Sequence, residues 1–165
     1  AMNRRGNGAL ISDVISTLRE DIPDLVLRTS IIVGFPGETY EDFQQTMQLC
    51  RQGRYQCMFT FIFSPRPGTR AALLDDPVPY KEKTRWLNEL IALQHTISEE
   101  DNRAMEGRVR VLVEHPSEHR EGWMTGRCEN GMLVQFPSTE QRVGTFCQVR
   151  ITKGLRSEYE GELAE

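Results

Sequence analysis

The sequence predicts two successive folds: an α/β part with parallel strands, then a small all-β barrel. Three observations lead there. Through the first hundred residues, short apolar runs alternate with stretches of helical periodicity, as βαβ units require. A long amphipathic helix follows. Beyond Gly107 the apolar spacing changes to period two, broken by frequent turn residues. The change sets a division into residues 1–105 and 106–165.

Taken in order, Leu10, Ile11, Val14, Ile15 and Leu18 recur at helical spacing, and Asp21-Ile22-Pro23-Asp24 stops that helix. Leu25-Val26-Leu27 and Ile31-Ile32-Val33 are unalternating apolar runs. The second, rich in β-branched residues, predicts a strand buried on both faces of a parallel sheet. Gly34-Phe35-Pro36-Gly37 is a turn. Thr39 is the expected N-cap of the next helix, with Asp42 three residues on in a capping-box position. That helix places Phe43, Met47 and Cys50 on one face and ends near Gly53. Residues 58–63 form a second strand, and Ser64-Pro65-Arg66-Pro67-Gly68-Thr69 breaks it, because prolines cannot continue a ladder. Two parallel strands leave most of their edges unpaired, so the sheet is expected to be completed by strands outside this sequence.

From Pro79 to about Met105 the stripe Trp86, Leu90, Leu93 and Ile97, flanked by Leu87 and Ile91, predicts one long helix. Val109, Val111 and Val113 then alternate with Arg108, Arg110 and Leu112. Further short strands are expected at 123–128, 132–136, 146–151 and 159–163, with a hairpin at Asn130-Gly131. About five short antiparallel strands in some sixty residues make an OB-like barrel.

The 165 residues carry a net charge of −4, which argues against binding nucleic acid by overall field. From Glu106 onward there are eight Lys/Arg against ten Asp/Glu, so any RNA contact there rests on a local patch and on shape. No apolar run approaches the roughly 20 residues that span a bilayer, and no signal segment opens the chain, so a cytoplasmic location is expected. Cys50, Cys57, Cys128 and Cys147 are scattered without a C-x-x-C spacing, which predicts isolated thiols and no metal site. His95, His115 and His119 likewise lack ligand spacing. The polar, glycine-containing opening is expected of a piece of a longer chain.

Two segments carry candidate chemistry. Gly34-Phe35-Pro36-Gly37-Glu38-Thr39 follows one strand and opens a helix, where parallel folds bind ligands. Its glycines admit close backbone approach, and Glu38 offers an acceptor for an amine or for ribose hydroxyls. A tight turn with Glu38 serving the helix dipole remains open. In the second segment, Arg66 stands between two prolines on a stiff loop, suited to a phosphate or a base, and the reading as a plain exposed arginine in a stiff turn remains open.

Residues 27–39, Leu-Arg-Thr-Ser-Ile-Ile-Val-Gly-Phe-Pro-Gly-Glu-Thr, resemble the fifth barrel strand and turn of radical-SAM methylthiotransferases. Residues 59–69 are similar to their sixth strand and its loop. Residues 106–163 resemble the TRAM domain that closes those enzymes, through Gly126-Arg127, Val134-x-Phe136, Gly144 and Val149-x-Ile151. Met2-Asn3-Arg4-Arg5 is similar to the sequence after the family's fourth strand.

The resemblance implies the end of a partial (β/α)6 radical-SAM barrel followed by an OB-like TRAM barrel. It implies S-adenosylmethionine and two 4Fe–4S clusters, whose cysteine motifs would lie upstream of residue 1. The chain by itself is therefore expected to be inactive, with no catalytic residue in this stretch. Arg28, Ile32, Gly34, Glu38, Phe63 and Ser64 would line one side of the S-adenosylmethionine pocket. Arg66, Arg108, Arg127 and Lys153 would contact RNA. The implied partner is a tRNA anticodon stem-loop, met by a monomer, with the sulfur donor unspecified. The loop at 61–69 is most similar to the MiaB-type branch, which methylthiolates isopentenyladenosine beside the anticodon. Branches acting on threonylcarbamoyladenosine or on ribosomal protein S12 are the alternatives within the family, and a non-catalytic RNA-binding module the alternative outside it. Cys128 after Gly-Arg, Arg70, and Lys153-Gly154 depart from the family's usual residues and bear on fine RNA contacts.

Overall fold

The computed structural model describes residues 6–22, 25–138 and 142–164. Met2, Asn3, Arg4 and Arg5, and Pro23 and Asp24 of the expected helix stop, lie outside them. The chain divides into two compact units, residues 1–97 and 98–165. No helix among the described residues is long and apolar enough to cross a membrane.

In the first unit, α1 (Gly8–Asp21) starts where the Asn7 side chain accepts from the Leu10 N–H, an N-cap one turn ahead of the apolar stripe. Of that stripe only Ile15 is buried; Leu10, Ile11, Val14 and Leu18 are exposed. Strands β1 (Arg28–Val33) and β2 (Cys57–Ile62) pair in parallel, Arg28 opposite Cys57 and Val33 opposite Ile62. Between them α2 (Tyr40–Gly53) opens on the expected capping box: Thr39 Oγ1 accepts from the Asp42 N–H, and the Thr39 N–H donates to Asp42 at 3.0 Å. It closes on Arg54 in the left-handed conformation, at φ 43°.

The strand expected to be buried on both faces is not. Thr29, Ile31 and Val33 turn toward α2 and the core, while Arg28, Ser30 and Ile32 are exposed, together with Phe59 and Phe61 of β2. Helices cover only one face of this two-stranded sheet, so the continuous apolar run reads as alternating burial. The core on the covered side joins Phe43, Met47 and Cys50 of α2 to Val33, Met58, Trp86 and Leu90. Phe43 stacks on Trp86 with centroids 5.4 Å apart.

Helix α3 (Tyr80–Arg103) begins one residue later and ends two earlier than its periodicity predicts. The Pro79 carbonyl accepts from the N–H groups of Glu82 and Lys83, as a residue just outside a helix should. In the second unit the last turn of α3 meets the hairpin between the final two strands. Asn102, fully buried, donates to the carbonyls of Leu155 at 2.6 Å and Arg156 at 3.2 Å. Gly154 lies so close that a Cβ there would sit 1.8 Å from the Asn102 carbonyl oxygen.

The barrel consists of β3 (Gly107–Pro116), β4 (Trp123–Cys128), β5 (Leu133–Pro137), β6 (Phe146–Gly154) and β7 (Glu158–Leu163), closed in the order β3-β4-β5-β7-β6. Four of its five pairings are antiparallel as expected; β5 and β7 run parallel, which a purely antiparallel reading misses. That contact closes the ring and removes the last free edge. Val111, Val113, Val134, Phe136, Val149 and Tyr159 fill the interior. Asn130-Gly131 does turn the chain between β4 and β5, within the four residues that separate them, and Gly131 takes φ 82°.

Candidate functional site

Both parallel strands end at one place. The Phe63 N–H donates to the Val33 carbonyl at 2.8 Å, which carries the ladder just past the last paired residues. Gly34, Glu38, Phe63 and Ser64 therefore gather at this carboxyl end. Gly34 has φ 72° and Gly37 φ 89°, a left-handed backbone that L side chains resist. The turn is held from within: the N–H groups of Gly34 and Phe35 donate to Glu38 Oε2 at 2.5 and 3.2 Å. Oε1 takes neither bond. Burial pushes the Glu38 carboxyl above its ordinary value, outweighing the two N–H donors and the nearby Lys83 charge, which pull it down. Phe35 and Phe63 meet edge to face, 5.1 Å between centroids, and so fix the two loops against each other.

Beside the end of β2 lies a pocket of about 350 Å³, lined by Phe63, Ser64, Asp76, Tyr80 and Lys83 among others. Lys83 is 3% exposed, which a lysine tolerates only with a partner. Its Nζ donates to Asp76 at 2.5 Å, and its methylene stem runs where a Cβ of Gly34 would be, 2.5 Å from Cδ. Lys83 and Asp76 were not legible as site residues. One signal was available: extended backward, the α3 stripe of Trp86 and Leu90 falls on Lys83.

Other residues expected at this site are not all brought to it. Ile32 is exposed on the uncovered face beside Phe61. Arg28 stands at the opposite end of β1, about 17 Å from Val33 at the usual rise per residue. Arg66 is exposed in a loop pinned by Thr69, whose N–H and hydroxyl both donate to the Arg66 carbonyl, at 3.1 and 2.8 Å.

On the barrel, Arg108, Arg127 and Lys153 all point outward and are exposed. Arg127 bonds Glu114 at 3.1 Å and the Gly131 carbonyl at 3.1 Å. Arg110, Arg120, Arg150 and Arg156 pair with Glu129, Glu160, Glu162 and Glu99. The barrel surface is thus largely charge-compensated.

The cysteines do not fit an iron–sulfur cluster. Cys50 lies on α2, Cys57 on β2, Cys128 on β4 and Cys147 on β6, all free. Burial raises the Cys50 thiol to about 11 and raises Cys128 and Cys147 as well, against the thiolate that iron requires. Among the described residues no three metal-ligating side chains converge.

The TRAM domain family matches residues 103–164. Over 164 residues, 99% of its length, the chain is 42% identical to a tRNA-2-methylthio-N(6)-dimethylallyladenosine synthase from Carboxydothermus hydrogenoformans. Nearly the whole of the chain is thus similar to a stretch of a protein of that name. Proteins of the same name from Clostridium botulinum strain Langeland and Natranaerobius thermophilus are 40% and 37% identical over 98% and 93% of the chain. The chain spans 37%, 36% and 34% of the length of these three relatives. The five-stranded barrel lies within the stretch that the TRAM domain family matches, and the turn at Gly34–Glu38 lies ahead of it, within the stretch similar to these relatives.

Proposed function

We propose that this chain is the C-terminal part of a radical-SAM tRNA methylthiotransferase, with isopentenyladenosine, the dimethylallyladenosine of its relatives' names, as the nucleoside modified. The observation that carries the reading is an identity of 42% over 164 residues, a stretch that takes in both units. The whole protein would work in the cytoplasm on the anticodon stem-loop of tRNA, with residues 1–105 as the end of its catalytic barrel and 106–165 as its RNA-binding domain.

The residues at the strand ends fit one flank of S-adenosylmethionine. Oε2 of Glu38 locks the turn and Oε1 would meet an amine or hydroxyl, Ser64 is an exposed residue with a hydroxyl, and Phe63 brings a ring held in place by Phe35. When bound, the cofactor supplies the methyl group and the radical that removes a hydrogen from an unactivated carbon. This chain's part is to hold and orient it. Ile32 would act from the uncovered sheet face, which would turn inward once further strands joined the sheet's edges, while Arg28 at the far end of β1 stands apart from this flank. The 4Fe–4S clusters would take no ligand from these residues. On the RNA side Arg66, Arg108, Arg127 and Lys153 would meet the tRNA backbone.

The test is mass spectrometry of tRNA nucleosides from cells lacking the parent gene. Loss of methylthio-isopentenyladenosine, with isopentenyladenosine building up in its place, is the expected result. An unchanged tRNA profile would overturn the reading. Restoration by the wild-type gene but not by one encoding Glu38→Ala would place the turn in the activity.

A further inference from the structure

The outer face of β6, β3 and β4 carries an aromatic ring that the barrel does not use for its own packing. Phe146, first residue of β6, is 62% exposed, whereas the interior is filled by Val111, Val134, Phe136, Val149 and Tyr159. Phe146 stands opposite Leu112 of β3, and Leu112 stands opposite Arg127 of β4. The Arg110 guanidinium lies 5.0 Å from the Phe146 ring centroid. Farther along the same face Arg108 stands directly opposite Arg150. Like charges in that register repel, and the Arg150 charge is offset by its pair with Glu162.

Four arginines and an exposed ring on one face favour a particular occupant. A protein partner would bury the ring in an apolar pocket and gain little from cations around it. An unpaired RNA base offers a π face for the ring, and its phosphates satisfy the arginines. Net field contributes little, because Arg110, Arg127 and Arg150 already hold Glu129, Glu114 and Glu162. Exposed pairs of this kind are worth about 0–1 kcal/mol, so a phosphate can replace the carboxylate readily but with little gain. Stacking must then supply much of the affinity.

We propose that Phe146, backed by Arg110, stacks an unpaired base of the RNA, with Arg108, Arg127 and Arg150 meeting the flanking phosphates. This rests on the tRNA reading above and names the surface that would serve it. The experiment uses the whole 165-residue chain and an anticodon stem-loop carrying 2-aminopurine at an unpaired position, read by anisotropy and by base fluorescence. The wild type should bind and quench the probe. Phe146→Ala should weaken binding by roughly ten-fold and lose the quench, in line with the effect of deleting one stacking partner. Phe146→Tyr should restore both, and thermal midpoints of the variants should match the wild type. Wild-type binding unchanged by Phe146→Ala overturns the stacking site and leaves the tRNA reading standing. Weakened binding with the quench intact also overturns it, since the ring would then act without touching the base. If the wild type binds no stem-loop and tRNA from the deletion strain is unaltered, the tRNA reading falls and takes this site with it.

Discussion

Gly34 meets two demands at once: a backbone angle that only glycine adopts cheaply, and a space already filled by Lys83. Gly37 meets only the first, because a Cβ there would find nothing within 4 Å. Gly37→Ala should therefore cost about 1–2 kcal/mol, the usual strain of a left-handed non-glycine residue. Gly34→Ala should cost more, and the excess should shrink when Lys83→Ala is added, because the two positions are then no longer in contact. Urea midpoints of the four variants check this. Glu38 makes a separate prediction through its titration. Its carboxyl is raised in the folded chain, chiefly by burial, so the folded state binds the proton more tightly than the unfolded one. Stability from this group is therefore greatest below its unfolded value of 4.5 and declines as pH rises through the raised folded value. Glu38→Gln keeps an acceptor for the two N–H groups and removes the titration. On acidification from pH 7 to pH 4 the wild type should gain stability relative to Glu38→Gln. A constant difference across that range would show that the carboxyl does not titrate abnormally. Asp42 shifts the other way, lowered by its bonds from Thr39, and its charge helps to raise Glu38, so Glu38→Gln removes that mutual repulsion together with the titration.

At the level of elements, local chemistry was readable and partnership was not. Thr39 and Asp42 announced the start of α2 because a capping box is complete within four residues. Trp86, Leu90 and Ile97 announced α3, since one stripe must face a core whatever that core is. The face of β1 that carries Arg28 and Ile32 could not be read, because its exposure depends on what covers the sheet, and an apolar run looks the same either way. The parallel contact of β5 with β7 was hidden for a similar reason: it joins strands that no hairpin connects, and only closure of the ring demands it. Within the site, Gly34 and Glu38 were legible from their motif, whereas Lys83 was not, since only the missing Cβ of Gly34 makes room for its stem. Thr39→Ala should lower stability by about 0.5–2 kcal/mol through the lost cap, seen in thermal or urea unfolding. Asn102 is the less visible counterpart, one polar residue in the last turn of α3 that satisfies two carbonyls of the β6–β7 turn. Asn102→Ala would leave the part-buried carbonyls of Leu155 and Arg156 short of a donor and should cost about 1–3 kcal/mol. An effect below a few tenths would mean that water replaces the amide.

For the molecule as a whole, the balance of charge decides how RNA would be held. The net charge is −4, and the barrel's arginines are mostly matched to glutamates within its own surface. A protein that neutralises Z phosphates with free cations shows a salt slope of about −0.7Z on single strands. Here each arginine that turns to a phosphate releases a glutamate to the solvent beside it, so the net charge delivered to the RNA is small. Binding of a stem-loop should accordingly show a shallow slope, no steeper than about −2 between 50 and 200 mM salt. Glu114→Gln and Glu129→Gln, which remove the carboxylates paired with Arg127 and Arg110, should each tighten binding at low salt and steepen the slope by up to about one unit. Phe146→Ala should weaken binding at every salt concentration and leave the slope as it was, because stacking releases no counterions. A steep slope in the wild type, flattened by Arg127→Gln, would instead mean that the arginines act as a field and that their carboxylate partners let go before the RNA arrives.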